Sequence, residues 1–146
     1  MRPKLYLVVL SLLVALTTAC GGTPVKPAPL PTQKQQALKC ALMGSWHHAT
    51  IDGKPFNDAD ISWTFKSDGT GVYHQTVPTI GMHAQHGFNW TLKGRNIYLK
   101  SSGHTTVYRA DAWKGPKMKW FNYRGSNEYG LTRMGSAPAG ANCSGK

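Results

Sequence analysis

Ile61-Ser62-Trp63-Thr64-Phe65-Lys66-Ser67-Asp68-Gly69-Thr70-Gly71-Val72-Tyr73-His74-Gln75-Thr76-Val77 decides the fold of this chain. Its first half places large apolar residues at 61, 63 and 65 and polar ones between them, the period of two expected of a strand with one buried face. Asp68-Gly69 then offers a residue pair that tolerates positive φ, a hairpin signal, and 72–77 reads as the returning strand. Outward from this hairpin the pattern recurs. Residues 46–51 form an opening strand; Phe88, Trp90 and Leu92 alternate with Asn89 and Thr91; Lys93-Gly94-Arg95-Asn96 turns the chain into 97–99. Ser101-Ser102-Gly103, Lys114-Gly115-Pro116-Lys117 and Arg124-Gly125-Ser126-Asn127 introduce strands at 105–110, 118–123 and 129–134, while 78–87 reads as a loop. Eight short sequential strands predict an all-β protein, a small antiparallel up-and-down barrel whose closure removes the sheet edges. A two-sheet β-sandwich is the competing arrangement. A short helix should precede the barrel, with Thr32 as cap, Gln35 three residues on, a stripe of Ala37, Leu38, Ala41 and Leu42, and an end near Met43-Gly44.

The N-terminus has a different character. Met1-Arg2-Pro3-Lys4 is basic, 5–16 is almost wholly apolar, and Thr17-Thr18-Ala19 supplies small residues. The apolar run is shorter than the roughly 20 residues a spanning helix needs and has the length of a secretory h-region. Leu16-Thr17-Thr18-Ala19-Cys20 resembles a bacterial lipobox, with Leu16 one position further from the cysteine than is usual. That resemblance implies cleavage before Cys20 and thioether linkage of its sulfur to diacylglycerol; cleavage after Ala19 as a plain secretory signal is the alternative. Gly21-Gly22-Thr23-Pro24-Val25-Lys26-Pro27-Ala28-Pro29-Leu30-Pro31 then reads as a polyproline tether. The expected organisation is a signal peptide over 1–19, a lipidated cysteine and linker over 20–37, and a barrel domain over 38–146.

Length and charge bound the rest. The chain has 146 residues and a formal charge of +11, which falls by two to +9 when Arg2 and Lys4 leave with the signal. About one hundred residues remain for a core, near the lower end for independent stability. With Cys20 acylated, Cys40 and Cys143 are an even pair in an oxidising compartment and are expected to form a disulfide across the whole domain.

Gly44-Ser45-Trp46, after a short helix and at the start of the first strand, resembles the Gly-x-Trp motif of lipocalins and their calycin relatives. In those barrels an arginine of the last strand packs across the tryptophan, and Arg133 is the matching position. The resemblance covers about ninety residues and implies a barrel closed at one end by Gly44, Trp46 and Arg133. The strands are shorter than in full-size lipocalins, as in compact lipocalin-like domains of small bacterial lipoproteins, where a smaller barrel leaves little room for a ligand.

Trp63, Phe65, Trp90 and Trp120 alternate with polar residues and are expected in the core. Trp113, Lys114, Lys117, Lys119, Phe121 and Tyr123 form a basic cluster with interleaved aromatics, a candidate surface for an anionic partner such as an envelope protein, lipid A or a cell-wall polymer. Nucleic acid is not expected for an exported chain. His74, His83 and His86 are the weak candidates for metal: adjacent His47 and His48 must point to opposite faces, and no set of three or four ligands converges. No cofactor is therefore expected beyond the lipid on Cys20, with zinc or haem on a histidine as the alternative. No nucleophile elbow, phosphate loop or free thiol marks an enzyme. The sequence thus reads as a non-catalytic, lipid-anchored binding or accessory module of the cell envelope. Gly21 after the acylated cysteine implies delivery to the outer membrane, facing the periplasm; a soluble periplasmic or secreted form is the alternative. Two other functions stay open: a small-ligand carrier using the barrel interior, and a histidine-dependent metal or haem protein.

Overall fold

The computed structural model describes residues 32–136. Helix α1 (Thr32–Leu42) leads into β1 (Gly44–Ile51), a two-residue β2 (Lys54–Pro55), β3 (Asp60–Phe65) and β4 (Thr70–Val77). A 3-10 turn at Pro78–Ile80 is followed by β5 (Met82–Lys93), β6 (Asn96–Ser101), β7 (His104–Lys114), β8 (Lys117–Asn122) and β9 (Asn127–Met134). Every ladder is antiparallel. The order runs β1-β3-β4-β5-β6-β7-β8-β9, and β9 pairs back onto β1, so eight strands close a barrel while β2 only extends the end of β1. A sandwich is thereby ruled out. The helix starts at Thr32, the residue read as its cap, and Leu38 and Leu42 on it belong to the core.

Alternation decides which side chains fill the barrel. Trp46, Trp63, Phe65, Phe88, Trp90, Ile97, Leu99, Ala110, Met118, Trp120 and Leu131 are buried in one cluster. Aromatic rings meet there largely edge to face, as their quadrupoles prefer: Phe65 lies 5.5 Å from Trp90 and 5.7 Å from Trp120 at near-right angles. The helix covers one end. The Trp46 indole N–H donates to the Leu42 carbonyl at 2.8 Å, and the Gln35 amide donates to the Leu92 carbonyl at 3.2 Å. On the other side of that end the Trp90 indole N–H reaches the carbonyls of Lys66 and Thr70, both at 3.1 Å, and fixes the β3–β4 turn. In that turn Gly69 takes φ +84° and the Asp68 carboxylate accepts from the Thr70 amide at 2.9 Å.

Two ladders carry bulges. One falls in β1 between His48 and Thr50, the other in β7 between Ala110 and Ala112. Each adds a residue on one strand and so changes which face the following side chains take. The second alters the reading of the sequence. Trp113 stands opposite Met118, a buried residue, and packs against the core. The stretch expected to be a loop, 78–87, is also corrected: β5 begins at Met82, and its residues 82–89 pair with β4.

Candidate functional site

At the end of the barrel away from α1 the interior opens into a cavity of about 280 Å³. Each wall residue is there by parity. His48 follows Trp46 by two on β1; Trp63 and Ile61 precede Phe65 on β3; Tyr73 lies two beyond Gly71 on β4. Phe88 and His86 come from β5, Leu99 and Ser101 from β6, Tyr108, Thr106 and His104 from β7, and Tyr129 from β9. The walls are aromatic rings in contact: Trp63 to Tyr73 at 5.7 Å, Tyr108 to Tyr129 at 5.8 Å and Tyr129 to His48 at 4.2 Å.

The polar groups of this cavity differ in what they have left to offer. Tyr73 donates its hydroxyl to Gln75 at 2.8 Å, and the Ser101 hydroxyl donates to the Gly87 carbonyl at 2.8 Å. The Asn122 amide donates to the Tyr129 oxygen at 2.8 Å, which leaves the Tyr129 O–H able to donate. Among the described residues the Tyr108 hydroxyl has no hydrogen-bond partner. Burial, reinforced by the neighbouring phenols of Tyr129 and Tyr73, pushes the Tyr108 pKa well above the usual tyrosine range, so this hydroxyl stays protonated at neutral pH.

His48 is 2 % exposed. Its Nε2 lies 3.1 Å from the Thr50 carbonyl, an acceptor, so Nε2 carries the proton and Nδ1 is left with a lone pair that finds no partner. Phe56, from the segment after β2, stacks over this imidazole at 4.8 Å. Burial lowers the His48 pKa below 6.5, the hydrogen bond to Thr50 opposes that shift, and the charge of His47 adds to it. His47 itself faces the other way, 3.2 Å from Asp60.

The residues singled out from sequence are distributed as follows. Trp46 and Arg133 are register partners, and the Arg133 guanidinium lies 4.3 Å over the indole at the end covered by α1. His74, His83 and His86 do not converge. His74 pairs with Gln85 and Tyr73 with His86, so His86 stands with Tyr73 on the cavity side, 6.3 Å away and nearly parallel, while His74 and His83 share the outer face. Among the described residues no group of three or more His, Cys, Asp or Glu is placed to hold a metal ion.

The basic aromatic cluster is divided by the barrel wall. Lys117, Lys119, Phe121 and Tyr123 project outward, alternating with buried Met118, Trp120 and Asn122, and Lys114 pairs with Lys117. Trp113 lies on the other side, its ring 5.9 Å from the Arg95 guanidinium. Lys119 is paired with Glu128 at 2.8 Å. Phe121 is covered by Arg109 at 4.9 Å, and Arg109 is itself held by Asp111 at 2.5 Å. Cys20 and Cys143 lie outside the described residues; Cys40 sits on α1, packed against the core.

Sequence reasoning passed over the three tyrosines and gave His48 no role. The signal was present, because each tyrosine stands two residues from an inward residue, Gly71, Ala110 or Leu131, on the side that the antiparallel order brings to one end of the barrel.

No family model matches the chain, and no curated protein matches it. Solved structures do. A lipocalin-like protein from Bacteroides uniformis superposes with a TM-score of 0.53 at 10 % identity, covering 64 % of this chain and 99 % of that one. An uncharacterized protein from Bacteroides eggerthii gives 0.51 at 13 %, with the same 64 % and 99 % coverage. At such identities the likeness concerns the fold: a closed eight-stranded antiparallel barrel of lipocalin-like form, with one short helix before it.

Proposed function

We propose that this protein is a binding module that takes a small, ring-containing molecule into the open end of its barrel. One observation carries the reading: the interior retains a cavity of about 280 Å³ between aromatic walls, close to the lower limit for small-ligand sites. That volume suits a ligand of one or two rings and is too small for a long lipid. The outer face of β8 supports a partner less well, because Lys119 and Arg109 already hold acidic neighbours. Ser101, whose register partner His104 could serve as a base, donates instead to the Gly87 carbonyl, so the reading is binding rather than turnover. We place the module in the cell envelope, anchored through Cys20, on the basis of the first twenty residues of the sequence.

The test is a binding screen of small aromatic compounds followed by protein NMR, with Thr106→Phe as the blocked variant. Thr106 lines the cavity and is half-buried, so a phenyl group there fills the space without displacing the Trp120 core. Ligands that perturb His48, Tyr73 and Tyr108 resonances in the parent and lose affinity in the variant support the reading. Perturbations confined to the outer face of β8 would move the function to that surface.

A further inference from the structure

The chemistry of the cavity narrows the ligand further than its volume does. Resting on the reading just given, we infer that the ligand is a small aromatic acid whose carboxylate is received by the hydroxyls of Tyr108 and Tyr129. On the inner wall these two phenols each have a donor to spare: Tyr108 Oη makes no hydrogen bond among the described residues, and Tyr129 Oη accepts from Asn122, which leaves its own proton free; Thr106, His86 and His104, also on the wall, can donate or accept. Their rings lie 5.8 Å apart on the same wall, and the Tyr129 phenol adds to the burial that keeps Tyr108 in its protonated, donating form. No Asp or Glu lines the cavity, so an ammonium group would find ring faces there but no counter-charge.

The buried acceptor on this wall is out of reach. His48 Nδ1 is buried with no partner, beneath the rings of Phe56 and Tyr129 at 4.8 and 4.2 Å, so a ligand's N–H or O–H has no open path to it. At this wall the two phenols present donors while the buried histidine acceptor is concealed. The surroundings agree with the sign. The chain carries +11 overall, and Arg124, in the β8–β9 turn at the open end, is close enough to Tyr108 for its charge to be felt at the phenol. The ring of the acid would lie against Trp63, Phe88 and Leu99.

Three probes that share one ring and differ in the attached group decide the matter: phenylacetate, phenethylamine and toluene, titrated at pH 7 by NMR into the full chain and into Tyr108→Phe. Phenylacetate should bind at least about tenfold more tightly than either other probe, as expected for hydrogen bonds to a charged group. Tyr108→Phe should lose about tenfold towards phenylacetate and nothing towards toluene. Its melting temperature should not change, since this hydroxyl has no partner in the protein. Equal binding of the three probes, or a Tyr108→Phe variant with parental affinity for phenylacetate, overturns the acid while leaving the cavity as a binding site. If no probe perturbs the lining residues at millimolar concentration, the acid and the cavity reading fall together.

Discussion

Arg133 and Trp46 face one another across the β1–β9 seam that closes the barrel, the guanidinium 4.3 Å above the indole ring. The same guanidinium donates to the Met43 carbonyl at 2.6 Å and to the Ala41 carbonyl at 2.5 Å, at the C-terminal end of α1 where unpaired carbonyls favour a cation. One residue thus ties the last strand to the first and both to the helix. Arg133→Ala should cost about 3 kcal/mol, from two charge-assisted hydrogen bonds and a cation–π contact, and lower the melting temperature by roughly 10 °C or more. Arg133→Lys should recover less than half of this, because an ammonium cannot reach two carbonyls while lying flat on the indole. Thermal denaturation of the two variants checks both statements.

His48 gives the fold a pH dependence of definite sign. Its pKa in the folded protein lies below 6.5, chiefly through burial, so the unfolded chain binds the proton more readily. The stability it contributes is complete above about pH 6.5 and is lost as the pH falls through the folded value. The melting temperature should drop between pH 7 and pH 5, and His48→Gln should flatten that slope. A second decline belongs to Asp111, whose carboxylate Arg109 holds below 3.8, and should appear only at more acid pH. A variant with the parental slope between pH 7 and pH 5 would remove His48 from the account.

Gly71 and Gly87 form a contrasting pair. A Cβ at Gly71 would run into the ring of Phe88, a buried core residue, and come within 2.6 Å of the Thr64 carbonyl. At Gly87 it would meet nothing within 4 Å. Gly71→Ala should therefore destabilise by about 1 to 3 kcal/mol, as overpacking does, while Gly87→Ala should be neutral or mildly stabilising because alanine restricts the unfolded chain more than glycine. Denaturant titration of the two single variants should separate them clearly.

A disulfide from Cys40 to Cys143 would close a loop of about 100 residues around the whole barrel, a constraint worth about 4 to 5 kcal/mol in the chain-entropy account. Reduction should then lower the melting temperature by roughly 10 °C or more. Cys143→Ser in oxidising conditions should melt where the reduced parent does. Equal melting of reduced and oxidised parent protein would exclude the bridge.

The eight barrel strands were legible because each carries large apolar residues at alternate positions between turn residues, as in Ile61-Ser62-Trp63-Thr64-Phe65. The errors have separate physical origins. Met82 to Gly87 pairs with β4 in a stretch where nearly every side chain is exposed, so neither face carries the apolar mark of a strand. Trp113 was assigned to the wrong face because the bulge after Ala110 shifts parity by one, and counting along a chain cannot register a bulge. The cavity was hidden for a third reason. Tyrosine serves equally at a surface, in a core or on a ligand wall, and only the convergence of Tyr73, Tyr108 and Tyr129 from three strands distinguishes these uses.

The placement of α1 also fixes which way the molecule looks. The helix covers the end of the barrel where β1 begins and β9 finishes, so the polypeptide enters and leaves through one pole while the cavity opens at the other. A hold on α1 would therefore grip the barrel from behind. The mouth is left pointing outward, free to meet solutes without the barrel having to turn or detach.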